Sequence, residues 1–206
     1  MILKVFKEKS NIRHLDKILS SRDVNVTNSK IKSLGVIMHI NEIDDFELFR
    51  KLAENLNIQP FNLKIIAYSS ESKEKPNSWD ICFNEKDFGW KGTVHNVELQ
   101  SFLETYFDVL ISYYEEDILE LKLITAKSKA QFKIGIFQPD SRLNDLIIQT
   151  KLNEFDAFKN ELFKYLTILN KIKNEYSNRI KIHKGPRMGE RRWRHSNHWY
   201  HAFCTR

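Results

Sequence analysis

SLGVIMHINEIDDFELFRKLAENLNIQPFNLKIIAYSS, residues 33–70, carries three patterns in succession. SLGVIMHI (33–40) is a short apolar run with β-branched residues, which reads as a buried strand. In DDFELFRKLAENLN (44–57), Phe46, Phe49, Leu52, Ala53 and Leu56 recur at helical spacing and form one apolar face. Asp44 precedes Glu47 by three residues, the spacing of a capping box with Asp in the cap. NLKIIAYSS (62–70) is a second strand. Strand, helix and strand make a βαβ unit, which implies parallel pairing and a right-handed crossover.

The alternation continues downstream. ESKEKPNS (71–78) is a polar loop, and WDICFNEKDFGWKGTV (79–94) an irregular aromatic segment with Gly89 and Gly92 as turn residues. NVELQSFLETY (96–106) reads as a helix and FDVLISYY (107–114) as a third strand. EDILELKLITAKSK (116–129) reads as a helix, although Leu119, Leu121 and Leu123 alternate at strand spacing. AQFKIGIF (130–137) is a fourth strand. After the turn QPDSRLN, DLIIQT (145–150) is expected to pair antiparallel with it as an edge hairpin. The longest helical pattern is 154–176, where Phe155, Phe158, Leu162, Tyr165, Leu166, Leu169 and Ile172 line one face. The expectation is one three-layer α/β domain over residues 30–175, with helices on both faces of a mostly parallel sheet.

Two appendages flank it. Residues 1–24 read as a basic helix, with Ile2, Leu3, Phe6, Ile12, Leu15, Ile18 and Leu19 near helical spacing among Lys4, Lys7, Lys9, Arg13 and Lys17. Lying on an anionic membrane is one reading of such a helix. Docking on its own domain is the plainer one, since KSN interrupts the apolar stripe. Residues 176–206 form a basic aromatic tail, expected to be disordered. Its last 24 residues, 183–206, carry Lys184 and five arginines against Glu190, and contain no Leu, Ile or Val. They hold +5 of the net charge of +6, so the rest of the chain is almost neutral. So abrupt a change suggests an appendage of separate origin.

No stretch approaches the about 20 apolar residues that cross a bilayer, so no membrane span is expected. The charged N-terminus lacks the apolar core of a secretory signal. Two cysteines, Cys82 and Cys204, make no disulfide framework. Together these suggest a cytoplasmic protein.

Open α/β sheets bind ligands beyond the carboxyl ends of their strands. Here those ends are Asn41 and Glu42, Ser69 and Ser70, Tyr113 to Glu116, and Gln138 to Asp140. None is a glycine-rich turn, so neither a dinucleotide fingerprint nor a P-loop is present, and no cofactor is expected. Glu115, Glu116 and Asp117 follow a strand. They are a candidate metal or acid–base cluster, or simply an acidic first turn favoured by a helix dipole. Trp79, Phe83, Phe88 and Trp90 are a candidate aromatic patch, either a pocket wall or interface, or a loop packed back on the sheet. Asp87-Phe88-Gly89 matches a kinase metal loop in three letters only, without its partner motifs. Cys82 as a nucleophile needs a base, and His39 and His95 are the histidines of the domain.

In the tail, His195, His198, His201 and Cys204 are zinc-type ligands at a three-residue step. On a helix each step turns about 300°, which carries His195 and Cys204 apart. Arg191, Arg192 and Arg194 with Trp193 and Trp199 have the chemistry of a nucleic-acid arm, arginines for phosphates and aromatics for bases.

SWDICFNEKDFGWKG (78–92), FDVLISYYEEDILELKLITAKSKAQFKIGI (107–136), RLNDLIIQT (142–150) and FKNELFKYLTILNKI (158–172) resemble an uncharacterised bacterial family of unknown function, of Bacteroidota type. The resemblance covers about residues 1–173 and implies no catalytic residue. The passage FDVLIS…AKSKAQFKIGI is also similar to a strand–helix–strand segment of heptosyltransferase-like glycosyltransferases. That likeness makes a transferase-type enzyme the alternative to a binding or interaction protein with a protein partner. An RNA-associated protein is a third expectation.

Overall fold

The computed structural model describes residues 2–22, 29–70, 81–136 and 139–172. Six strands form one sheet: β1 (Leu34–His39), β2 (Leu63–Tyr68), β3 (Ile81–Phe83), β4 (Val109–Tyr113), β5 (Phe132–Gly135) and β6 (Leu146–Ile147). Their spatial order is β3-β2-β1-β4-β5-β6 and every pairing is parallel. This is the doubly wound order, in which the chain runs outward from β1 and then returns to start again beside it. The reversal lies between β1 and β4, which pair from Leu34↔Val109 to Met38↔Tyr113.

Five helices cover the sheet: α1 (Ile2–Ser20), α2 (Phe46–Asn55), α3 (Val97–Glu104), α4 (Leu119–Lys127) and α5 (Phe155–Ile168). Alternation along the strands sorts them into layers. Ile37, Ile66, Tyr68, Phe83 and Leu110 point to a core shared with α1, α3 and α4, through Leu15, Leu19, Phe102, Leu121 and Ile124. Tyr113 points the other way, into a cluster of edge-on rings with Phe49 of α2 and with Phe155 and Phe158 of α5. All of β1 and β4 is buried, as central parallel strands require.

Met1–Lys173 form one compact unit that includes α1. The N-terminal helix is docked. Asn11, Leu15 and Leu19 are its buried residues, and Asn11 Oδ1 accepts the Gly92 amide at 2.8 Å. Ile2, Leu3 and Phe6 at its start remain exposed. No helix among the described residues is long and apolar enough to cross a membrane. The tail, with His195, His198, His201, Cys204, Arg191, Arg192, Arg194, Trp193 and Trp199, lies outside the described residues.

Four sequence readings are corrected. β6 pairs with β5 in parallel, not as an antiparallel hairpin: Ile134 pairs with Leu146 and Gly135 with Ile147, and Lys133 N–H and Ile148 N–H bond to Asp145 Oδ2 and the Gly135 carbonyl. The aromatic segment read as irregular contains β3, which the three residues Ile81–Phe83 are too few to announce. The cap of α2 is Asp45, whose side chain accepts from Glu47 N, and Asp44 lies one residue outside. The last helix stops at Ile168, because Asn170 turns to φ 56°. Asn170 N–H then bonds Thr167 O at 3.0 Å and Lys171 N–H bonds Leu166 O at 2.8 Å, a Schellman stop that apolar spacing cannot reveal.

Candidate functional site

The crevice where the strand order reverses is bordered by the two loops that leave β1 and β4. The first turns sharply: Glu42 N–H and Ile43 N–H both bond the His39 carbonyl, which swings the Glu42 side chain back over the strand ends. There its carboxylate meets the second loop. Oε1 and Oε2 each accept Glu115 N–H at 3.1 Å, and Oε1 also accepts Glu116 N–H at 2.8 Å. In a nucleotide-binding sheet, backbone amides at this place hold a phosphate. Here two amides of the β4 loop are already occupied by an internal carboxylate. Burial pushes the Glu42 carboxyl up from its ordinary range, while those two amides pull it back down.

His39, the last residue of β1, supplies the third group. Its side chain is 2% exposed, and neither ring nitrogen has a hydrogen-bond partner. Nδ1 faces two carboxylates, Glu42 Oε2 at 3.7 Å and Glu116 Oε2 at 3.8 Å. One donor atom from each of the three residues lies within 4.8 Å of the others. Tyr68, beside His39 in register, stacks at a tilt with ring centroids 5.5 Å apart. Its hydroxyl is pushed up to about 12, first by burial and then by the charges of Glu120, Glu85 and Glu116. A cleft of about 350 Å³ begins one residue beyond Glu116, lined by Lys4, Lys7, Glu8 and Asn11 of α1, by Glu85, and by Asp117 to Glu120. Burial raises the Glu120 carboxyl there.

The three acids named from sequence do not converge. Glu116 faces His39. Glu115 Oε1 accepts Leu152 N–H at 3.3 Å, on the side of α5. Asp117 pairs with Lys122 of α4 and lines the cleft. The aromatic residues also divide. Phe83 and Phe88 are buried in the core with ring centroids 6.0 Å apart, Trp90 is half exposed, and Trp79 lies outside the described residues. Cys82 is in register with Ala67 and Met38, so it projects from the face opposite His39, Tyr68 and Phe83.

Sequence reasoning placed Glu42 and Glu116 at strand ends but did not join them to His39. The available signal was positional: a histidine closing the first strand of a βαβ unit stands at the reversal of a doubly wound sheet. Only the return of β4 to the side of β1 makes that position a site.

Residues 7–169 match the family described as "Family of unknown function (DUF6913)". No curated protein and no solved structure matches the chain.

Proposed function

We propose that this chain, which belongs to the DUF6913 family of unknown function, is a binding domain that takes a small cationic ligand at the carboxyl edge of its sheet. One observation carries the reading: the Glu42 carboxylate sits on the amides of Glu115 and Glu116, where a doubly wound domain offers room to an anion. The place is filled from within, and what remains at the strand ends is the pair of carboxylates, Glu42 and Glu116, beside the His39 imidazole. The adjoining cleft of about 350 Å³ is the size of a small-molecule site.

The test is thermal unfolding of the full chain against three ligand sets: amines and guanidines, nucleotides and sugar nucleotides, and divalent cations. Cationic compounds are expected to raise the midpoint, and Glu116→Gln to reduce that rise. Stabilisation by nucleotides alone would overturn the reading. A transferase-type enzyme retains one supporting observation, the Glu116 carboxylate beside the His39 imidazole, a pair of the kind that moves protons. Sugar-nucleotide stabilisation in the same experiment would bring it forward.

A further inference from the structure

We infer that His39, Glu42 and Glu116 form a site for a divalent transition-metal ion, of the zinc, cobalt or manganese class. The inference rests on the crevice being the ligand site, and names its ligand. Two independent features meet there. The first is the pair of carboxylates. The second is the buried imidazole, with both ring nitrogens lacking hydrogen-bond partners and Nδ1 aimed between the two acids.

The distances discriminate between direct bonding and a shared ion. At 3.7 and 3.8 Å, the Nδ1–oxygen separations are too long for hydrogen bonds. For metal–ligand bonds of about 2.1 Å, the edge of a tetrahedron is about 3.4 Å, so each carboxylate oxygen needs to approach Nδ1 by only a few tenths of an ångström, and all three donors already lie within 4.8 Å of one another. The lone pairs also fit. A carboxylate has about four acceptor positions. Glu42 uses two on Oε1 and one on Oε2, both for backbone amides. The position left over is on Oε2, the atom nearest His39 Nδ1. The same amides orient the carboxylate from outside, as an outer shell does in metal sites.

Imidazole and carboxylate donors suit zinc, cobalt and manganese better than calcium, which takes oxygen ligands alone. Glu116 is 59% exposed, so solvent reaches the site from its side. Three protein ligands with an open side leave a coordination position for water or for a second ligand, which is the arrangement of working rather than structural zinc sites.

The experiment uses the full chain with the competing tail donors removed: His183→Ala, His195→Ala, His198→Ala, His201→Ala and Cys204→Ser. Cobalt(II) is titrated in a non-chelating buffer and followed by its visible absorption, then displaced with zinc(II). One equivalent with nitrogen–oxygen ligand bands is expected. Glu116→Gln, on an exposed side chain, is expected to weaken binding by about tenfold or more without changing the fold measured by circular dichroism. His39→Gln is expected to abolish it. Because His39 is buried, Glu116→Gln keeps the test decisive if the histidine variant does not fold. Absence of cobalt binding, or binding that Glu116→Gln leaves unchanged, overturns the metal site. The amine and guanidine arm of the thermal screen then stands separately: stabilisation there, reduced by Glu116→Gln, keeps the crevice as a ligand site without a metal.

Discussion

Asn11 Oδ1 accepts the Gly92 amide at 2.8 Å, so a buried side chain of α1 holds the backbone of a turn 81 residues away. Gly92 adopts φ 63°, and its carbonyl accepts from Lys127 Nζ of α4. A Cβ on Gly92 would lie 3.1 Å from the His14 ring and 3.2 Å from Leu123. The turn is therefore the clasp between α1 and α4. Asn11→Leu leaves a buried amide unpaired and is expected to destabilise the protein by about 1–3 kcal/mol. Gly92→Ala adds left-handed strain to a tight contact and is expected to cost about 1–2 kcal/mol or more. Urea unfolding of both variants measures this. Wild-type stability in Asn11→Leu would mean that the bond to Gly92 contributes nothing to holding α1.

Glu42→Ala removes the carboxylate that ties the β1 and β4 loops. The Glu115 and Glu116 amides lose their partner, for an expected cost of about 1–3 kcal/mol. The variant should also gain what the wild type lacks, an anion site. Inorganic phosphate is expected to raise its unfolding midpoint more than it raises that of the wild-type protein. Equal responses would show that these amides are not accessible to an anion.

Lys133 gives the protein a pH dependence. It is buried in β5, and its ammonium donates to the Thr125 and Ala126 carbonyls at the end of α4, at 2.7 and 3.0 Å. Burial, with a smaller push from Arg22, brings it down from 10.5 to about 7. With the folded value below the unfolded one, the unfolded chain binds more protons between them. Stability from this group is full above about 10.5 and is lost as pH falls to about 7. Chemical denaturation between pH 6 and 10 is therefore expected to show a rise of the order of a few kcal/mol from Lys133. Lys133→Met should flatten that rise. An identical pH profile in the variant would assign the slope to other groups.

Asn170 and Asn57 end α5 and α2 at φ 56° and 57°. Asn170→Ala is expected to destabilise by about 1 kcal/mol, since a Cβ disfavours the left-handed region. Asn170→Gly should be neutral or slightly stabilising. Thermal unfolding that ranked alanine above glycine would contradict the Schellman stop.

The unit at 33–70 was legible because its signals are local. A β-branched run, a 3.6-residue stripe and a second run report burial residue by residue, and burial follows from where apolar side chains must go. The same holds for β4 and β5, and for the existence of α3, α4 and α5. Features decided by one residue or by pairing were less legible. Ile81–Phe83 is too short to show a period, and Asn170 breaks a helix inside an unbroken apolar pattern. DLIIQT reads the same whether β6 pairs parallel or antiparallel.

By itself, the sequence determined the class: alternating elements, central strands buried on both faces, and no glycine-rich loop for phosphate. Tertiary structure alone decided the site. His39, Glu42 and Glu116 are brought together because β4 returns to lie beside β1 and because Glu42 reaches across to the amides of the next loop. Periodicity records which side of an element faces the core. It carries no information on which strand ends become neighbours, since that depends on the order in which the chain lays down its sheet.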